Sequence, residues 1–179
     1  MADRANIILI GFMGTGKTAI GKRLAYALGK QFVDTDKEIE FVTGMSIPNI
    51  FNKHGEIRFR SEEKLAIQKA CSLANAVIAT GGGAVMDAEN IKRMENCGRI
   101  ICLTARPEVI QQRIKRKDNR PLLHRDKSIE KISELLAERE AYYRKCAEAS
   151  FDTSDEEHEQ VVERIIRFLK GEKYESCSG

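Results

Sequence analysis

The 179-residue sequence lacks any apolar run long enough to span a bilayer. Its hydrophobic N-terminal stretch is broken by Gly11 and Gly14 and is followed by a charged helix with no small-residue cleavage site, so neither a signal peptide nor a membrane span is expected. Paired cysteines are also missing. Cys71, Cys97, Cys102, Cys146 and Cys177 are odd in number and show no metal-ligand spacing. That excludes a disulfide framework or zinc site and points to reduced thiols in a cytoplasmic protein, with Cys102 in the core. An excess of one charge is absent too, since the net charge is +3, which gives little reason to expect nucleic acid or membrane as partner. Repeats and linkers are not seen, so one domain is expected, burying roughly 70% of the surface its unfolded chain would expose.

What is present begins with Gly11-Phe-Met-Gly-Thr-Gly-Lys-Thr18, a G-x-x-x-x-G-K-T run directly after the apolar Ile7 to Ile10. The run reads as a buried parallel strand, and Ile20, Leu24, Ala27 and Leu28 recur at helical spacing behind it. A glycine-rich loop between a strand and a helix N-terminus turns backbone N–H groups into one concavity, where the helix dipole adds positive charge. Gly14, Thr15, Gly16, Lys17, Thr18 and Ala19 are therefore expected to hold nucleotide phosphates. Lys17 reaches the β- and γ-phosphates, and Thr18 holds Mg²⁺.

Further along, Gln31 to Asp34 reads as a second strand ending in Asp34-Thr-Asp36, whose carboxylates face the ligand crevice of an open α/β sheet. Residues 37 to 54 suggest two short helices broken at Gly44, with Ser46 as N-cap and Pro48 in a first turn. On a helix over 58 to 73, Phe59, Ala66, Ile67 and Ala70 share a face, Arg60 borders it and Glu63 lies within it, with Arg58 turned away. Arg60 and Glu63 can pair at i,i+3; a surface salt bridge accounts for them equally well. A third strand, Ala76 to Thr80, runs into Gly81-Gly82-Gly83, a backbone suited to close approach by a ligand. Residues 87 to 97 form a helix, Arg99 to Leu103 a fourth strand, and Pro107 opens a helix to about Arg116.

Residues 113 to 127 carry seven basic side chains against two acids and read from 117 onward as a long loop, a lid over the phosphate site. No aromatics interleave with those charges, so the stacking half of a single-strand binder is missing. His124 in that loop reads as a solvent-exposed histidine. The helix from about Ser128 to Cys146 has an apolar face of Ile132, Leu135, Leu136, Tyr142, Tyr143 and Cys146, and Arg139 falls in its middle. A guanidinium there must meet a carboxylate or a ligand, or snorkel out. Ser150 to Thr153 gives a fifth strand, and Val161, Val162, Ile165, Ile166 and Leu169 mark a last amphipathic helix before a polar tail.

Five short strands alternating with helices make an open α/β domain with a mainly parallel sheet. Two arginines, Arg60 and Arg139, recognise an anion, while an aspartate with glycine amides recognises hydroxyls. A small polyhydroxylated acid fits that set better than a nucleotide or a protein. Another small-molecule kinase of the same fold, a non-catalytic nucleotide switch and a nucleic-acid-associated ATPase remain as rivals.

From near the N-terminus to about residue 169 the chain resembles the shikimate kinase family. The matching segments are Gly11 to Thr18, Phe32-Val-Asp-Thr-Asp36, Gly55-Glu-Ile-Arg-Phe-Arg-Ser-Glu-Glu63, Gly81-Gly-Gly-Ala-Val85, Asn119-Arg-Pro-Leu-Leu123 and Glu138-Arg-Glu-Ala-Tyr-Tyr143. The resemblance implies a single P-loop kinase domain over 1–171, a five-stranded parallel sheet of order 2-3-1-4-5, a substrate-binding helical segment over about 35–60, a lid over about 113–127 and a polar tail at 172–179. It implies transfer of the ATP γ-phosphoryl group to the 3-hydroxyl of shikimate by a cytoplasmic monomer. Asp36, Arg60, Gly81, Gly82, Gly83 and Arg139 are then expected at shikimate, Arg120 on the ATP phosphates and Arg113 near adenine. Lys17, Asp36 and Arg120 carry the catalysis, and Asp34 meets Mg²⁺ through water beside Thr18. Family members often pack a basic, proline-containing loop on adenine after the fifth strand. Here Thr153 is followed by Ser-Asp-Glu-Glu-His-Glu159, so loose base selectivity is expected.

Overall fold

The computed structural model describes residues 5–115 and 126–172. Its strands are β1 (Asn6–Ile10), β2 (Gln31–Asp34), β3 (Ala76–Ala79), β4 (Gly98–Thr104) and β5 (Ala149–Asp152), all parallel in the order β2-β3-β1-β4-β5. This is the expected order. All five residues of β1 are buried, as suits the middle of a sheet covered on both faces. The helices are α1 (Lys17–Leu28), α2 (Thr35–Thr43), α3 (Ile47–Cys71), α4 (Ala88–Cys97), α5 (Pro107–Lys115), α6 (Ile129–Cys146) and α7 (His158–Leu169).

Alternation along the strands sends side chains into two cores. Ile8, Ile10, Ile100 and Cys102 pack with Ile67, Met94, Tyr143 and Cys146 from α3, α4 and α6. Ile7, Leu9, Ile101 and Leu103 pack with Leu24 of α1 and Val161 and Ile165 of α7. Burial pushes the Cys102 thiol up to about 12, so it is an inert core residue. A third cluster, Phe12, Met13, Ile110, Ile114 and Ile132, roofs the loop after β1.

Two assignments of facing differ from expectation. Ala27 is exposed, and Gly21 and Ala25 fill the inward face of α1 with Ile20 and Leu24. A Cβ on Gly21 would stand 2.5 Å from the Phe32 ring, so helix and sheet approach more closely there than an apolar stripe of larger residues allows. Tyr142 is 41% exposed, leaving Ile132, Arg139, Tyr143 and Cys146 as the buried line of α6. Gly44 ends α2 in the left-handed region, and Gly55 (φ 79°, ψ 176°) kinks α3 between its short first segment and the long segment bearing Arg60. Of the basic segment, Arg113 to Lys115 close α5; Arg120, His124 and most of the expected lid lie outside the described residues. Among the described residues no helix is long and apolar enough to cross a membrane.

Candidate active site

Parallel strands present all their C-terminal ends to one edge of the sheet, and the expected site residues gather there. The loop after β1 turns on Gly11, Gly14 and Gly16, with φ of 136°, 79° and 97°. Gly16 is the N-cap of α1, so the N–H groups of Lys17, Thr18 and Ala19 have no carbonyl within their own helix and face the loop's concavity. The Lys17 ammonium folds over the loop and donates to the carbonyls of Gly11 and Phe12 at 2.6 and 2.8 Å. Buried Thr15 bonds inward to the Phe12 carbonyl at 2.8 Å.

Thr18 Oγ1 donates to Asp34 Oδ2 at 2.7 Å. The other oxygen of Asp34 caps α2, accepting from the backbone of Asp36 at 3.2 Å and Lys37 at 3.4 Å. One carboxylate therefore joins the loop to the helix that begins with Thr35 and Asp36. A hydroxyl and a carboxylate side by side are hard oxygen donors that fit magnesium, and no cluster of three or more metal-ligating side chains occurs among the described residues.

Arg113 is held by the phosphate loop and by the residue after β5. Its guanidinium donates to the Gly14 carbonyl at 3.1 Å and to the side chain and carbonyl of Thr153 at 3.0 and 2.6 Å. The fully buried Thr153 hydroxyl lies 2.9 Å from the Thr15 carbonyl and 3.1 Å from that of Thr104. Arg113 and Thr153 thus brace the phosphate loop against the ends of β4 and β5.

Beside the loop, the three glycines after β3 share a steric reason. A Cβ on Gly81 would stand 2.7 Å from Glu63 Oε1 and 2.8 Å from Asp36 Oδ1. One on Gly83 would stand 2.6 Å from the Arg60 guanidinium, and one on Gly82 3.6 Å from that of Arg139 and 3.3 Å from the Met13 nitrogen. None of the three has a positive φ, so it is the close approach of these side chains, tightest at Gly81 and Gly83, rather than turn geometry that favours glycine here. Asp36, Arg60, Glu63 and Arg139 accordingly converge on one glycine turn.

Arg60 bonds Glu63 Oε2 at 2.8 Å and Glu56 at 3.0 and 3.2 Å. Burial works against the Arg60 charge, but the two glutamates outweigh it and its pKa rises. Glu63 is 1% exposed; burial, reinforced by the charge of Asp36, pushes its carboxyl above the usual range despite Arg60. Arg139 is 4% exposed and stacks 5.3 Å from the Phe12 ring. Among the described residues, Arg139 Nε and Glu63 Oε1 are buried without a hydrogen-bond partner. Arg58 points away, 62% exposed and paired with Glu62.

Glu63, Tyr143 and Thr153 were not expected as site residues. Glu63 had signalled itself as a charge within an apolar stripe; Tyr143 and Thr153 act through partners distant in sequence and left no such signal.

Known proteins carry the same pattern. A profile of the family described as shikimate kinase matches residues 13–170. A shikimate kinase of Pelotomaculum thermopropionicum is 53% identical over 94% of this chain and 98% of its own, and one of Caldanaerobacter subterraneus is 51% identical over 90% and 94%. Among solved structures, the shikimate kinase of Acinetobacter baumannii in complex with shikimate superposes with a TM-score of 0.92 at 36% identity, covering 97% of each chain. By sequence and by fold, the chain belongs to the shikimate kinase family.

Proposed function

We propose that the chain transfers the γ-phosphoryl group of ATP to the 3-hydroxyl of shikimate, giving shikimate 3-phosphate and ADP. The observation that carries this reading is the convergence of buried Arg139 and half-buried Arg60 on the glycine turn beside the phosphate loop. Arg139 keeps an unpartnered buried Nε that a small carboxylate can satisfy. Arg60 and Arg139 hold the carboxylate of the acceptor, and the Gly81 to Gly83 backbone closes over its ring. Asp36 orients the attacking hydroxyl and receives its proton as the oxygen–phosphorus bond forms. Gly14 to Ala19 hold the phosphates, Lys17 offsets charge on the transferred group, and Arg120 joins it from the lid at 113–127. Thr18, with Asp34 through water, holds Mg²⁺, which supplies charge neutralisation at the phosphates when bound. The remaining proposals are a single domain over 1–171 with its acceptor-binding segment at 35–60, a tail at 172–179, a monomeric state and a cytoplasmic location.

The test is ADP release with shikimate, gluconate and AMP as alternative acceptors. Stimulation by shikimate alone is expected; stimulation by gluconate or AMP but not shikimate overturns the reading. Light scattering on the eluting protein decides the monomer.

A further inference from the structure

Cys71 ends α3 and Cys97 ends α4, well apart in sequence, and the fold sets their thiols against each other in a hydrogen bond. Both pack against the same core cluster, yet each is partly exposed, whereas Cys102 and Cys146 are buried. The pair sits at the N-terminal ends of the strands, across the sheet from the candidate active site. Cys97 leads straight into Gly98, which is paired with Asn6 at the start of β1, and the Asn6 side chain bonds the Cys97 thiol. Asn6 is itself pinned, donating to the Leu73 carbonyl at 2.7 Å and accepting from the Ala76 N–H at 2.9 Å. Leu73 and Ala76 follow closely on Cys71, so one buried amide holds the ends of both cysteine-bearing helices in place.

Two thiols already in hydrogen-bond contact need only a short further approach to reach bonding distance, and these two lie on helix ends held by the same amide. We propose that Cys71 and Cys97 form a reversible dithiol–disulfide couple that reacts with low-molecular-weight disulfides and, when oxidised, staples α3 to α4. Phosphoryl transfer uses neither residue, so the proposal stands independently of the kinase reading. The two sulfurs have unequal parts. The hydrogen bond from Cys71 lowers the Cys97 thiol below its ordinary range against burial, with Asn6 assisting; that same bond, then burial, pushes Cys71 up against the charge of Arg93. Cys97 is therefore the attacking thiolate. It displaces one thiolate from the small disulfide and becomes a mixed disulfide. Cys71 then gives up its proton, attacks the Cys97 sulfur and expels the second thiolate. Two electrons pass from the cysteines to the small disulfide, and their two protons leave on the two released thiols.

The test is incubation of the folded protein with oxidised glutathione, followed by peptide mapping without reductant. The expected product is one cross-link between the peptides bearing Cys71 and Cys97, with Cys102 and Cys146 still free. Because the link closes a ring through β3 and α4, Tm should rise by about 5 °C or more and fall back on addition of dithiothreitol. ADP release with shikimate should change by less than about twofold, since the link lies across the sheet from the site. Cys71→Ser should halt at a glutathione adduct on Cys97 and show no gain in Tm. A folded protein that forms no Cys71–Cys97 link, or forms it only after denaturation, overturns the proposal. So does an oxidised protein that melts no higher than the reduced one, or one whose turnover is abolished, because either would show a strained link in place of a staple.

Discussion

Tyr143 donates its phenolic hydrogen to the carbonyl of Gly82 at 2.5 Å, one helical turn beyond Arg139. The same stretch of α6 therefore supplies an arginine and fixes the glycine turn that the arginine approaches. Burial pushes the Tyr143 phenol above its ordinary range, against Arg139, so it is a proton donor at any working pH. Tyr143→Phe keeps the packing and leaves the Gly82 carbonyl unpaired. The expected cost is about 1 kcal/mol in stability, with KM for shikimate up about fivefold to tenfold and KM for ATP unchanged. Thermal unfolding with steady-state kinetics checks it; equal rises in both KM values would mean that Tyr143 acts on the whole domain.

That contact also marks where sequence reading stopped. Period-2 and period-3.6 patterns placed all five strands, because burial leaves an apolar rhythm that needs no partner to be recognised, whereas their order was implied only by the family resemblance. Arg139 and Glu63 were legible for the opposite reason, as charges inside an apolar stripe. Tyr143 looked like another apolar member of that stripe, and its hydroxyl meets a carbonyl 61 residues away. Thr153 likewise bonds Thr15 across 138 residues. Pairings of that kind are set by tertiary approach, which periodicity does not encode. Ala27 failed in the other direction: the rhythm admitted it, but the close contact of Gly21 with Phe32 rotated α1 toward Gly21 and Ala25.

Two glycines should fail in different ways. Gly11 has φ 136°, and a Cβ there would stand 2.2 Å from the Leu103 carbonyl oxygen, which is backbone in a central strand and cannot move aside. Gly11→Ala should lose about 2–3 kcal/mol or fail to fold. Gly83 has ordinary backbone, and its Cβ would meet the end of the flexible Arg60 side chain. Gly83→Ala should fold with a near-normal Tm and show a raised KM for shikimate. Denaturant titration of both, with kinetics on the second, separates the cases; a folded Gly11→Ala of wild-type stability would refute the steric argument.

Arg139→Ala removes a guanidinium that is almost wholly enclosed and rests on Phe12. The expected loss in kcat/KM for shikimate is about a hundredfold, or ~2.7 kcal/mol, with ADP affinity nearly unchanged. Arg58→Ala, on the exposed side of α3, should alter neither, since its pair with Glu62 lies on the opposite face from Arg60. Parallel losses for shikimate and ADP in Arg139→Ala would remove the carboxylate role.

Glu63 gives the site a pH dependence of definite sign. Its folded-state pKa is raised above the ordinary 4.5, so the native protein holds the proton more tightly than the unfolded chain. The stability from this group is then fully present below about pH 4.5 and is lost as pH rises through the raised value. Glu63→Gln, which cannot ionise, should gain in Tm relative to wild type as pH rises above about 4.5. Activity moves the other way. As pH falls, protonation of Glu63 frees Arg60 from its 2.8 Å partner and leaves it to Glu56, so KM for shikimate should climb on the acid side. In Glu63→Gln that climb should flatten, from a higher baseline KM, because Arg60 has a neutral partner at every pH. Melting curves and shikimate KM across the same buffers test both halves, and an acid limb that persists in Glu63→Gln would assign the titration to another group.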